Sequence, residues 1–157
     1  MDGLFHSPTR GPLTYDELVE DLIAFVTEDR DAAYKLIVGT DSHVAADLCF
    51  VTAIVVHRIG KGARFYYQRH HQPKMRSLRQ RIFYETALSL DTAQRLAESL
   101  AAYGAALNVE IHLDVGENGE TKELIRDVVG MVTGSGFHAE IKPNSYGATK
   151  VADRYTK

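Results

Sequence analysis

Hydrophobic and polar positions repeat with two different periods along the chain, and the changes of period predict a mixture of helices and strands. Thr14 and Glu17 form a capping box ahead of apolar residues at helical spacing, which predicts a helix from residue 14 to about residue 28. Residues 1–13 contain two prolines and show no period. We therefore expect them to form an irregular arm.

Five further apolar segments are typical of strands, and three segments have helical spacing. The first strand segment is apolar on both faces, as in a central strand, and a Gly-Lys-Gly turn at 60–62 joins the second to the third. The predicted strands cover 36–41, 48–59, 63–69, 107–114 and 137–142. The predicted helices cover 76–103, with an interruption near 89–91, 120–132 and 145–155.

The order of these elements after the N-terminal helix indicates one topology. Hairpins make the first three strands antiparallel, whereas helical crossovers return the fourth and fifth strands parallel to the first. The predicted α/β fold is a five-stranded mixed sheet of order 3-2-1-4-5, with flanking helices and an extra N-terminal helix. We expect one domain over residues 1–157. The first strand lies at a switch point, where ligands bind beyond the carboxyl ends of the strands.

Two aspartates lie at the carboxyl ends of strands beside this switch point. Asp41 closes the first predicted strand and Asp114 closes the fourth. If these strands are parallel neighbours, the two side chains lie about 5 Å apart. Carboxylates at that distance repel each other unless a cation lies between them. The alternative is that each is an ordinary loop or capping aspartate.

Two more carboxylates are candidates for the same site. Glu85 falls on the apolar face of its helix, where an unpaired charge is costly to bury. A buried Glu–Arg pair is the alternative. Asp153 projects beside the apolar stripe of the last helix, and a solvated aspartate fits that position nearly as well.

Four carboxylates from separate elements suit two hard divalent cations, Mg²⁺ or Mn²⁺. Two such cations about 4 Å apart can support phosphodiester hydrolysis. His43 and His112 each lie two residues from one of the aspartates, and so share its face of the strand. They could complete a zinc or manganese site instead, but we favour a role for one of them in positioning water or relaying a proton.

Charge is distributed unevenly, although the net charge is only −3. Residues 61–81 contain seven Lys or Arg and no acid, interleaved with aromatic residues, and residues 141–157 contain four bases and one acid. Such a mixture can bind phosphates by charge and bases by stacking. The alternative is that the basic residues only cover a solvent-exposed strand and the start of a helix. The predicted substrate contacts are Arg69, Lys74, Arg76, Arg79, Arg81, Lys142 and Lys150.

Several segments together resemble the YkuK-type bacterial family of ribonuclease H-like proteins. They are 38–42 (VGTDS), 81–85 (RIFYE), 111–116 (IHLDVG), 141–143 (IKP) and 151–154 (VADR). The resemblance implies metal ligands at Asp41, Glu85, Asp114 and Asp153. Position 43 is His, so the aspartate-x-glutamate pair of proofreading exonucleases is absent. This favours an endonuclease of the ribonuclease H or junction-resolvase type.

The sequence therefore predicts a bacterial, Mg²⁺- or Mn²⁺-dependent nuclease acting on RNA, DNA, a hybrid or a branched junction. A junction resolvase would act as a homodimer. The alternative is a non-catalytic module that binds nucleic acid or protein on the same fold. A nucleotide-binding phosphatase-like domain is a third class, but the chain lacks a convincing Gly-rich phosphate loop. No apolar run approaches the length of a membrane span, so we expect a cytoplasmic protein without a membrane partner.

Overall fold

The computed structural model describes residues 3–44, 46–75, 77–145 and 147–156, without the side chains at 149, 150, 153 and 156. The described strands are β1 (Phe5–Ser7), β2 (Gly11–Leu13), β3 (Tyr34–Val44), β4 (Leu48–Arg58), β5 (Ala63–Gln72), β6 (Val109–His112) and β7 (His138–Glu140). The helices are α1 (Tyr15–Glu28), α2 (Leu78–Ala102), α3 (Ile125–Gly134) and α4 (Gly147–Thr156), with a 3₁₀ turn at Lys122–Leu124.

The strands form one mixed sheet of order β2-β1-β5-β4-β3-β6-β7. Strands β3, β4 and β5 are antiparallel neighbours, and β6 and β7 continue the sheet parallel to β3. The predicted α/β fold is confirmed, and the five strands β3 to β7 have the predicted order. Helix α1 begins with the predicted capping box, in which Thr14 and Glu17 exchange hydrogen bonds.

The prediction of an irregular N-terminal arm is wrong for the described residues. β1 and β2 pair with each other, and β1 joins the sheet through His6, which is opposite Tyr67 of β5. Phe5 and Leu13 are buried in the core. Strands of three residues are too short to show a period. Pro12 is tolerated because β2 is an edge strand.

The two faces of the sheet carry different layers. Alternate residues of β3, including Leu36 and Val38, contribute to the larger core with residues of α1, α2 and α3. Ile37 points to the opposite face, where Ala148 and Ala152 of α4 contribute to a smaller cluster. Because side chains alternate along a strand, Asp41 belongs to the α4 face, whereas Ser42 belongs to the α2 face.

Helix α2 runs without the predicted interruption near residue 90. The polar residues Ser89 and Thr92 are buried here, and the helix continues past them. The Ser89 hydroxyl lies 2.8 Å from that of Thr40, which in turn lies 3.0 Å from that of Thr52. This buried chain of hydroxyls joins α2 to β3 and β4. Glu85 lies one turn earlier on the same buried face.

No helix in the described ranges combines the length and the apolar character needed to cross a membrane.

Candidate metal centre

Strand register brings Asp41 and Asp114 to the same level of the sheet. The parallel pairing of β3 and β6 stops where Gly39 is opposite His112. Each aspartate lies two residues beyond the last position at which β3 and β6 pair with each other. β3 continues to Val44, whereas the chain leaves β6 after His112. The two aspartates therefore flank the point where these neighbouring strands separate.

Glu85 completes a group of three carboxylates. One ligand oxygen each from Asp41, Glu85 and Asp114 lies within 4.8 Å of the other two. The three residues come from β3, α2 and the segment after β6. The structure thus brings together three of the four carboxylates that the sequence selected. The side chain of the fourth, Asp153, lies outside the described residues, although its backbone belongs to α4.

The Glu85 carboxylate is buried and held from one side by β3. Glu85 is only 5% exposed. The Ser42 hydroxyl donates a hydrogen bond to Glu85 Oε2. Arg81 in turn donates to Ser42 Oγ at 3.0 Å and to the Ser42 carbonyl at 3.3 Å. Arg81 therefore contacts the carboxylate indirectly, through Ser42. The alternative raised by the sequence, a direct pair between Glu85 and an arginine, differs from this arrangement.

This environment changes the acidity of Glu85. Burial is the main cause that raises the pKa of Glu85, to about 8, and the nearby charges of Asp41 and Asp114 raise it further. The hydrogen bond from Ser42 and the charge of Arg81 oppose the shift. Without a cation, the group therefore favours a proton on Glu85 near neutral pH. A divalent cation among the same oxygens would replace that proton.

Ser42 is the residue of this centre that the sequence reasoning missed. Two signals pointed to it. Strand alternation places Ser42 on the face that α2 covers, and Arg81 lies one helical turn before Glu85 on α2. A small hydroxyl between the helix and the strand can bridge two charged side chains that cannot both be buried unpaired.

Lys142, a predicted substrate contact, lies against the group. Its Nζ is 2.7 Å from Asp114 Oδ1, and its side chain is 56% exposed. The ammonium group thus stands beside one of the carboxylates, at the open side of the centre. A positive charge at this position partly neutralises the acidic group.

The two candidate histidines lie outside the group of three carboxylates. His112 is buried, and its Nε2 lies 3.4 Å from Glu110 Oε1 on the same strand. Its Nδ1 has no hydrogen-bond partner among the described residues. Burial lowers the pKa of His112 despite the neighbouring Glu110. His43 is half-buried on the Asp41 face of β3.

A second group of ligand atoms, not predicted from the sequence, lies on β6 and β7. Oxygen or nitrogen atoms of Glu110, His138 and Glu140 lie within 4.8 Å of one another. His138 Nε2 is 2.6 Å from Glu140 Oε1, and Lys35 Nζ is 3.1 Å from Glu110 Oε2. Lys35 already supplies a positive charge here, so we interpret this group as an ion pair between β3 and β6 beside a His–Glu contact within β7.

The other predicted substrate contacts are spread more widely. Arg69 is on β5 and donates to the Tyr155 carbonyl of α4 at 2.9 Å. Arg79 lies 3.4 Å from Asp127 and stacks over Phe83. Lys74 is exposed before α2. Arg76 and the side chain of Lys150 lie outside the described residues.

Comparison with known proteins identifies the family of this chain. Residues 17–157 match the model of the family described as Ribonuclease H-like. The chain belongs to the ribonuclease H-like family. It is 38% identical to the Bacillus subtilis (strain 168) protein named "Uncharacterized protein YkuK", over 98% of this chain and 97% of that protein. The resemblance inferred from the sequence is thereby confirmed. No solved structure gives a significant match.

Proposed function

We propose that this protein is a nuclease that hydrolyses phosphodiester bonds with divalent metal ions by a two-metal mechanism. The convergence of Asp41, Glu85 and Asp114 carries this proposal. Three carboxylates from separate elements, one of them buried, form an arrangement that a folded chain stabilises poorly without a cation or a proton. Membership in the ribonuclease H-like family supports a nuclease or nucleic-acid-related function.

The donor set fits Mg²⁺ or Mn²⁺. All three donors are carboxylate oxygens, which hard divalent cations prefer, and the site is open on the Lys142 side. Asp153 is the proposed fourth ligand, because α4 packs through Ala152 against the sheet face that carries Asp41. When bound, such cations lower the pKa of a water molecule and stabilise negative charge on phosphate oxygens.

The chain's own residues would orient the ligands and handle protons. Ser42 and Arg81 hold the Glu85 carboxylate in one orientation. Of the two histidines, His43 is the better candidate to relay a proton. It is half-buried on the Asp41 face, whereas the ring of His112 faces Glu110.

Basic groups near the centre would bind nucleic acid. Lys142 and Arg81 lie beside the carboxylates, and Lys74 and Arg79 flank the start of α2, the helix that carries Glu85. Contacts of this kind bind the phosphate backbone without reading the sequence. RNA, DNA, a hybrid and a branched junction are all substrates of this class. We propose internal cleavage, as in endonucleases of this family.

Cleavage of a labelled panel tests the proposal. The panel contains single-stranded RNA, single-stranded DNA, an RNA–DNA hybrid and a four-way junction, each incubated with Mn²⁺. We expect cleavage of at least one member by the wild type, and loss of cleavage in Asp41→Asn and Glu85→Gln. Glu123→Gln, which changes an exposed carboxylate on the 3₁₀ turn, is the matched control and should cleave normally. Binding without cleavage, equal in all variants, would overturn the proposal.

One observation favours the second candidate, a binding module without catalysis. A proton on Glu85 and the ammonium group of Lys142 beside Asp114 can neutralise much of the acidic group without a metal. Such a module would bind nucleic acid through the same basic residues. It would show no dependence on Asp41 or Glu85, so the cleavage panel separates the two candidates.

A further inference from the structure

Lys142 is held against Asp114 by a continuation of the sheet. The Leu113 amide donates to the Glu140 carbonyl at 2.8 Å, and the Lys142 amide donates to the Val115 carbonyl at 2.9 Å. The segment after β6 and the segment after β7 therefore stay side by side beyond the ends of both strands. This backbone pairing fixes the position of the Lys142 backbone, from which its side chain extends toward Asp114.

Gly116 makes room for the lysine side chain. A Cβ atom at Gly116 would lie 3.0 Å from Lys142 Cβ and 3.5 Å from its Cδ. The first distance is closer than ordinary van der Waals contact allows. Because residue 116 has no side chain, the Lys142 chain can pass over it, and its Nζ reaches Asp114 Oδ1 at 2.7 Å.

The resulting ion pair is suited to exchange with a divalent cation. The Lys142 side chain is 56% exposed, so its interaction with Asp114 is screened by water and costs little to break. A divalent cation among three carboxylates carries twice the charge of the ammonium and contacts several oxygens at once. Cation and ammonium therefore compete for the same carboxylate.

We propose that Lys142 is the internal counter-ion of Asp114 and sets the metal affinity of the centre by this competition. The inference rests on the proposed metal centre. Lys142 holds the metal-free site together and leaves Asp114 when the metal binds there. Its ammonium is then available to a substrate phosphate at the open side of the centre. Lys142 is thus a residue that adjusts metal affinity, in addition to its predicted role as a substrate contact.

Calorimetric titration with Mn²⁺ alone tests this inference. Lys142→Met removes the competing charge, so the variant should bind Mn²⁺ about two- to fivefold more tightly than the wild type, as expected for loss of an exposed ion pair. Gly116→Ala should displace the Lys142 side chain and shift the affinity in the same direction. Lys61→Met is the matched control. Lys61 pairs with Asp29 at 2.9 Å and is similarly exposed, but it lies in the turn between β4 and β5 at the other end of the sheet.

The outcomes separate this inference from the proposed function. Tighter binding in Lys142→Met, with no change in Lys61→Met, supports the competition. Equal or weaker binding in Lys142→Met, while Asp41→Asn abolishes binding, overturns the role of Lys142 but keeps the metal centre. If the wild type itself binds no Mn²⁺, both proposals fail.

Discussion

The Ser42 hydroxyl bridges two charged side chains, because it donates to the Glu85 carboxylate and accepts from the Arg81 guanidinium at 3.0 Å. Ser42 lies on β3 directly after Asp41, whereas Glu85 and Arg81 lie one turn apart on α2. This single side chain therefore joins the strand that carries one proposed ligand to the helix that carries another. The orientation of the buried carboxylate depends on it.

Replacing Ser42 by alanine should destabilise the metal-free protein. The variant loses the hydrogen bond from the charged Arg81 guanidinium as well as the one to the buried Glu85 carboxyl group, which costs about 1.5–3 kcal/mol of the free energy of unfolding. Urea unfolding in the presence of a chelator measures this loss. Ser42→Thr keeps the hydroxyl and should retain most of the stability. An equal loss in both variants would show that the hydroxyl is not the stabilising group.

Glu85 should contribute a loss of stability to the metal-free protein as pH rises from about 5 to about 8. The pKa of Glu85 is raised from its ordinary value near 4.5 to about 8 by burial. In this range the folded state holds a proton that the unfolded state has lost, so raising the pH favours unfolding. The slope from this group is at most about 1.4 kcal/mol per pH unit.

Glu85→Gln isolates that contribution. The variant has no group to titrate at this position. Its free energy of unfolding minus that of the wild type should therefore increase from pH 5 to pH 8 and level off above pH 8. Urea unfolding of both proteins across this range, with chelator present, gives the difference. A difference that does not change with pH would contradict the proposed protonation of Glu85.

Mn²⁺ binding should release a proton below pH 8. Because a metal ligand must be deprotonated, the cation displaces the proton that the raised pKa keeps on Glu85. Affinity should therefore be higher at pH 8 than at pH 6. Calorimetry in buffers of different ionisation enthalpy counts the protons released, which should approach one at pH 6.5. Release of no proton at that pH would place the metal away from Glu85.

The N-terminal helix should be coupled to the sheet but not to the metal centre. Tyr66 of β5 is fully buried and donates a hydrogen bond to Asp21 of α1, which also pairs with Arg10 and Arg64. Tyr66→Phe should lower the free energy of unfolding by about 1.5–3 kcal/mol. Its Mn²⁺ affinity, measured by calorimetry, should stay that of the wild type. A weaker affinity would show that α1 influences the centre.

The placement of the three carboxylates could be predicted because simple periodicities determine it. Asp41 and Asp114 follow apolar strand segments, and parallel neighbours bring such ends together. Glu85 falls on the apolar side of a helix with a period of 3.6 residues. Each of these signals is local in sequence, and only the strand order was needed to combine them.

The contacts around the carboxylates could not be predicted in the same way. The Lys142–Asp114 pair depends on two segments that run side by side beyond their strands, and on the missing side chain of Gly116. Neither condition produces a periodic pattern of hydrophobic and polar residues in the sequence. The short strands β1 and β2 were not predicted for a related reason. Burial of Phe5 and Leu13 requires a partner strand about 60 residues later along the chain.

Thermal unfolding with and without Mn²⁺ tests the central claim most directly, since the proposed function depends on a cation binding to Asp41, Glu85 and Asp114. Binding to the folded state alone raises stability by about 2.7 kcal/mol at a hundredfold excess over the dissociation constant. We predict a clear rise in the melting temperature of the wild type, and little or none in Asp41→Asn and Asp114→Asn. An equal rise in all three proteins would contradict the proposed site.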